Sequence, residues 1–189
     1  MIHAHLRRIA GVMAAVMLIT CPVYAAEKAQ LVNLTVTNNR DTLLFYMDLE
    51  NAFNPEIMAA LESGVTLSFS FPITVRRDRS LWFDKKITQV ELIHTIKYDT
   101  LKKEYLITRS WKDPQTQTVK SLDEAISLMT RIDGLALLPL SLLEKGENYR
   151  VTAQARLNKI SRPIYLKFVL FFRNSWKFKT KKAHVDFIY

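Results

Sequence analysis

The side chains Val65, Leu67, Phe69, Phe71, Ile73 and Val75 alternate without a break with Thr66, Ser68, Ser70, Pro72 and Thr74. A period of two puts one set on each face of a strand, whereas the 3.6-residue period of a helix would scatter the apolar set around its axis. The stretch therefore reads as a half-buried strand, and Pro72, which has no ladder donor, predicts an edge position or a bulge there. Similar alternation recurs at residues 32–36, 43–49 and 149–157; in the last, Tyr149, Val151, Ala153, Ala155 and Leu157 oppose Arg150, Thr152, Gln154 and Arg156. Residues 87–98 and 104–111 read as a hairpin turning through residues 99–103, and residues 164–172 turn through 173–175 into a last strand that begins at Trp176.

Two helices interrupt the strands. The first, over residues 55–63, has Asn54 as N-cap, Pro55 at its first position and Gly64 as terminator. The second opens with the capping box Ser121 and Glu124 ahead of Ile126, Leu128 and Met129, with Gly134 expected to stop it. A short third helix is expected after Pro139. Strands that follow one another directly exclude a parallel sheet with a helix at each crossover. The expected fold is mainly β: an antiparallel β-sandwich or curled open barrel of about 8–9 strands, with two short helices in the connections. No linker or repeat divides residues 26–189, which read as a single β-rich domain.

Residues 1–25 read as a secretory signal peptide. Arg7 and Arg8 form the positive end, residues 9–20 the apolar centre, and Val23 and Ala25 the small-residue site, with cleavage after Ala25. Two alternatives use the same residues: a lipid anchor at Cys21, which Thr20 fits poorly, and an uncleaved anchor helix, which is short for a bilayer. Export places the mature chain in the periplasm. Cleavage removes the chain's one cysteine, so neither disulfide nor thiolate chemistry remains. It also removes two of the 27 lysines and arginines, which still exceed the 18 acids. The most apolar remaining stretch, 134–143, is short and contains Pro139, so no transmembrane span is expected after processing.

Several chemistries lack their residues. Gly64, Gly134 and Gly146 stand far apart and form no phosphate cradle, and His94 and His184 lack zinc-ligand spacing, so neither cofactor nor metal is expected. His94 shares a strand face with Val90, Leu92, Ile96 and Tyr98; it reads either as a buried general base or as a core histidine bonded to backbone or to Tyr98. His184 lies where alternation fails and marks a bulge or a fraying end. There is no Gly-x-Ser-x-Gly elbow, and an acid pair drawn from Asp84, Glu91, Glu104 and Asp113 has no substrate cue beside it. Whether the chain is an enzyme is left open, with a non-catalytic role preferred.

The positive signals are basic. Arg76, Arg77 and Arg79 precede Leu81, Trp82 and Phe83, a pattern suited to anions or ring faces, or to a turn whose arginines pair with Asp78 and Asp84. Lys177, Lys179 and Lys181 alternate with Trp176 and Phe178 as a lysine stripe that either meets an anionic envelope component or solvates a sheet edge. Arg77, Arg79, Trp82, Lys177 and Lys179 are the candidate binding residues. Nucleic acid is not an expected partner, since no recognition motif accompanies the charge.

The sequence resembles an uncharacterised family of exported Gram-negative proteins known only as a domain of unknown function (DUF4390-like). The likeness covers most of residues 26–189. It rests on residues 60–65 with Leu67 and Phe69, on Arg77, Arg79, Trp82 and Asp84, and on residues 98–101 followed by Tyr105. Further on it includes residues 121–125, Tyr149, Arg150, Pro163, Trp176 and Phe178. The resemblance implies no activity and no site residues. Members look like genomic neighbours of a membrane sensor histidine kinase, which implies an envelope accessory. The expected function is thus an exported binding or interaction module of unknown specificity. The alternatives are a carrier of an apolar or lipid ligand, suggested by the aromatic residues of 165–178, and an envelope hydrolase.

Overall fold

The computed structural model describes residues 28–79, 83–161 and 178–189. Among them run β1 (Gln30–Asn38), β2 (Thr42–Glu50), β3 (Thr66–Arg77), β4 (Lys85–Asp99), β5 (Glu104–Arg109), β6 (Asp113–Val119), β7 (Arg131–Pro139), β8 (Asn148–Ala153), β9 (Arg156–Ser161) and β10 (Ala183–Ile188). Helix α1 (Pro55–Glu62) joins β2 to β3, and α2 (Leu122–Thr130) joins β6 to β7. All pairings are antiparallel. A small sheet has the order β1-β2-β7, and a large one runs β10-β8-β3-β4-β5-β6, with β9 also beside β3. The described residues form a mainly β fold of two sheets, neither closed into a barrel, as the alternation implies.

Alternation becomes burial along β3, where Leu67, Phe69, Phe71, Ile73 and Val75 are fully enclosed. They share one apolar core with Phe45 and Met47 of β2, Ile132 and Leu135 of β7, Ile57 and Leu61 of α1, and Met129 of α2. Each such side chain contributes about 2 kcal/mol over its exposed state. The helix starts follow the sequence: the Asn54 side chain accepts the Ile57 amide at 2.9 Å, and Ser121 Oγ accepts that of Glu124 at 3.4 Å. A single 3-10 turn, Leu140–Leu142, follows Pro139.

Four local expectations change. Gly134 does not stop α2, which passes straight into β7 at Arg131; the glycine, at φ +74°, instead forms an irregularity within β7 opposite Tyr46. His184 lies inside β10, paired with Thr152, rather than at a frayed end. The run 149–157 is two strands, interrupted at Gln154 and Ala155. Pro72 is neither on an edge strand nor at a β3–β4 bulge: β3 pairs with β8 through Ile73–Arg77 and with β9 through Thr66–Ser70, and Pro72 sits between. Its carbonyl accepts the Gln154 amide at 3.2 Å, so its donorless nitrogen faces the place where the partner strand is broken. The expected hairpin at 164–176 lies outside the described residues, as do residues 1–27.

Candidate functional site: a basic cleft at a strand break

The break between β8 and β9 leaves the backbone N–H and C=O of Ala155 and the side-chain amide of Gln154 buried outside any ladder, and burial requires that they find partners. Thr180 supplies them. Its amide donates to the Ala155 carbonyl at 3.0 Å, its Oγ1 accepts the Ala155 amide at 3.0 Å, and its own carbonyl accepts Gln154 Nε2 at 2.8 Å. Two residues earlier, the Phe178 carbonyl accepts the Leu157 amide at 3.0 Å, and its ring meets Phe69 edge-on at 5.4 Å. With Phe178 and Thr180 facing inward, the intervening and following residues face out: Lys179, Lys181 and Lys182 are exposed. The lysine alternation is thus retained as far as residue 181, although these residues precede β10 and make only one isolated bridge, Lys179 opposite Arg156.

These lysines meet the start of β1 in a cleft of about 610 Å³ lined by Lys28, Gln30, Leu31, Asn51, Lys179, Lys181, Lys182 and their neighbours, with no acid among the described lining residues. Among the described residues every ion pair is made by an arginine, so the cleft's four lysines stand without a carboxylate. Lys182 also borders a second cleft, of about 410 Å³, on the outer face of the large sheet. There Arg76, Arg150 and Arg156 gather with Thr74, Gln89, Thr152, Gln154 and one carboxylate, Asp84. Gln154 joins the two clefts: while its amide nitrogen holds Thr180, its Oε1 accepts Arg156 Nε at 3.1 Å and Nη2 at 2.9 Å.

The candidate residues fall in different places. Lys179 lies in the lysine cleft. Arg77 lies at the end of β3 with its guanidinium between Glu144 and Glu147, the latter at 3.2 Å from Nε. Burial works against its charge, but the hydrogen bond it donates to Glu144 and both carboxylate charges outweigh it and hold Arg77 more firmly protonated than usual. Arg79 is exposed at the end of the described stretch after β3, and Phe83, before β4, is 96% exposed. Trp82 and Lys177 lie outside the described residues. Lys28, Lys182, Arg76, Arg150 and Arg156 complete the basic surface without having been singled out as binding residues. The polar alternation of Arg150, Thr152, Gln154 and Arg156 was the signal available for the arginines; Lys28 carried none.

His94 is closed off. It is fully buried; its Nδ1 donates to the Met129 carbonyl at 2.9 Å, and its Nε2 accepts from Trp111 Nε1 at 2.9 Å. The ring lies edge-on to Phe71 at 4.9 Å. Burial, aided by the charge of Arg109 and opposed by the Met129 carbonyl, lowers its pKa to about 4. Both nitrogens are therefore occupied in the neutral form, which suits a core histidine and leaves none for a substrate. Of the acids that could form a hydrolytic pair, Asp84 borders the arginine cleft, whereas Glu91 and Glu104 border neither basic cleft. Among the described residues no three His, Cys, Asp or Glu side chains converge as metal ligands, and no helix is long and apolar enough to cross a membrane.

No curated protein and no solved structure matches this chain. One family does, over residues 26–186: Domain of unknown function (DUF4390).

Proposed function

The chain belongs to the DUF4390 family, whose description names no activity, and we propose that it is an exported, non-catalytic binding module that holds an anionic component of the cell envelope in its lysine cleft. The observation that carries this reading is the group of four lysines, Lys28, Lys179, Lys181 and Lys182, around one concavity whose described lining contains no acid. Like charges so grouped repel one another, and an anion placed between them removes that repulsion while gaining attraction from each. The export reading of residues 1–25 supplies the compartment, and an envelope-accessory role fits a module that binds without transforming its partner. The occupied nitrogens of His94 favour binding over hydrolysis.

Titration with inorganic tripolyphosphate at low and raised salt tests the cleft. The double variant Lys179→Glu/Lys181→Glu is expected to weaken binding by about tenfold or more, and raised salt to weaken the unmodified chain in the same direction. The pair Lys97→Glu/Lys120→Glu makes the same change in net charge, on the central strand β4 and just beyond the far edge strand β6, and is expected to change little. Equal weakening by both pairs would reduce the effect to net charge and remove the cleft from the proposal.

A further inference from the structure

The arginine cleft is not used by the reading above, and its chemistry is distinct. Arg76 stands directly opposite Lys86 on one neighbouring strand and Arg150 on the other. Arg156 stands opposite Lys179 in the isolated bridge that leads to the lysine cleft. Like charges directly across a ladder are unfavourable, and three such pairs lie along one connected surface. Among the described residues only Arg150 is answered by carboxylates there, by Asp186, which accepts Nε at 2.7 Å and Nη2 at 3.0 Å, and by Asp78 at 3.7 Å. Arg76 makes no ion pair among the described residues.

The remaining lining groups narrow the ligand. Thr74, Thr152 and Gln89 offer hydroxyl and amide groups that donate and accept, and Asp84 only accepts. Asp84, with Asp186 beside Arg150, would repel a chain as densely charged as polyphosphate, which has no hydroxyls between its charges, but would accept hydrogen bonds from the hydroxyls that separate one carboxylate from the next along an acidic sugar chain. A surface that alternates guanidinium groups with hydroxyl-reading groups suits a chain whose charges are spaced by neutral, hydroxyl-rich segments. Because Lys182 borders both clefts and Gln154 ties their walls together, one ligand can run from the lysines to Arg76 without leaving the basic surface.

Resting on the proposed anion-binding role of the lysine cleft, we propose that the two clefts form one track for a linear acidic polysaccharide, the lysine cleft taking one charged unit and the arginine cleft the next hydroxyl-rich stretch and its charge. Occupying the second cleft then adds an intramolecular contact rather than an independent binding event, so affinity rises steeply once the chain is long enough to reach.

Oligogalacturonates of increasing length test this, with tripolyphosphate and a long-chain polyphosphate as comparators. Affinity for oligogalacturonate is expected to rise by roughly tenfold or more between the shortest and the longest chains. Arg76→Gln, at an exposed position with no ion pair to lose among the described residues, is expected to remove that rise, bringing the longest chain down to the shortest; thermal unfolding of this variant confirms that the fold is intact. Affinity that ignores length, or a rise that survives in both Arg76→Gln and Arg156→Gln, overturns the track while leaving the lysine cleft standing if tripolyphosphate still binds there. Long polyphosphate binding as tightly per charge as the glycan overturns the ligand class, and so does tighter binding to phosphatidylglycerol vesicles than to any oligogalacturonate. If tripolyphosphate and the oligogalacturonates all fail to bind, the lysine cleft falls with the track.

Discussion

Two buried polar networks hold this chain together, and they end differently. Around His94 every polar atom is consumed: Trp111, on the β5–β6 turn, and Met129, at the end of α2, fix the imidazole to β4 from two sides. Around Gln154 and Thr180 the satisfaction is as full, but the segment that provides it carries Lys179, Lys181 and Lys182 on its other side, and Gln154 also holds Arg156. The first network closes a seam between secondary elements; the second is a bracket that presents cations. Hydrogen-bond completeness alone does not separate cement from site. What separates them is whether the anchoring residues alternate with outward-facing charge.

Acid gives the largest expected contrast. The unfolded chain protonates His94 near the ordinary 6.5 and the folded chain only near 4, so between those values the unfolded state holds more protons and stability falls as pH falls. The loss from this group reaches about 3 kcal/mol below pH 4, and His94→Gln should flatten that part of the profile, measured by denaturant unfolding across pH. A profile unchanged by the substitution would show that His94 is not the titrating seam. Next comes Thr180→Val, which keeps the shape but strips the acceptor from the buried Ala155 amide. It should cost about 2 kcal/mol and also weaken tripolyphosphate binding; lost stability with unaltered binding would break the idea of a bracket. Trp111→Phe should cost about 1 kcal/mol, move the His94 titration upward by removing a donor that favours the neutral ring, and leave anion binding alone. The smallest effect is expected from Arg76→Gln, which relieves repulsion from Lys86 and Arg150 and should raise the melting temperature slightly, a gain of about 0.3 kcal/mol.

Alternation made much of the large sheet legible, because every second residue of β3 and the pattern of β4 are set by a face that must be buried. Asn54 with Pro55, and Ser121, marked helix starts correctly because a cap acts over three residues of sequence. Gly134 misled for the complementary reason: a positive φ serves a helix end and a strand irregularity equally well, and only pairing with β2 decides. Pro72 was read as a defect of its own strand, whereas the structure resolves it in the neighbouring one. In the site, Lys179 was visible from the spacing of its own segment. Arg156 shows in the alternation of its own segment, but it, Arg76 and Lys28 are brought to Lys179 only by pairing between distant parts of the chain, and that juxtaposition leaves no local trace.

The division of β3 between β8 and β9 also has a kinetic consequence. Its hairpin partner β4 follows at once, but its other side waits for residues 148–161, and the break in that partner waits in turn for Thr180. Loop closure over such separations is slow relative to hairpin formation. In a chain emerging amino terminus first, the sheet's core can zip up early, yet Lys28 meets Lys179, Lys181 and Lys182 only when the last strand docks. Acquisition of anion binding during refolding should therefore report the final step of assembly rather than the collapse of the core.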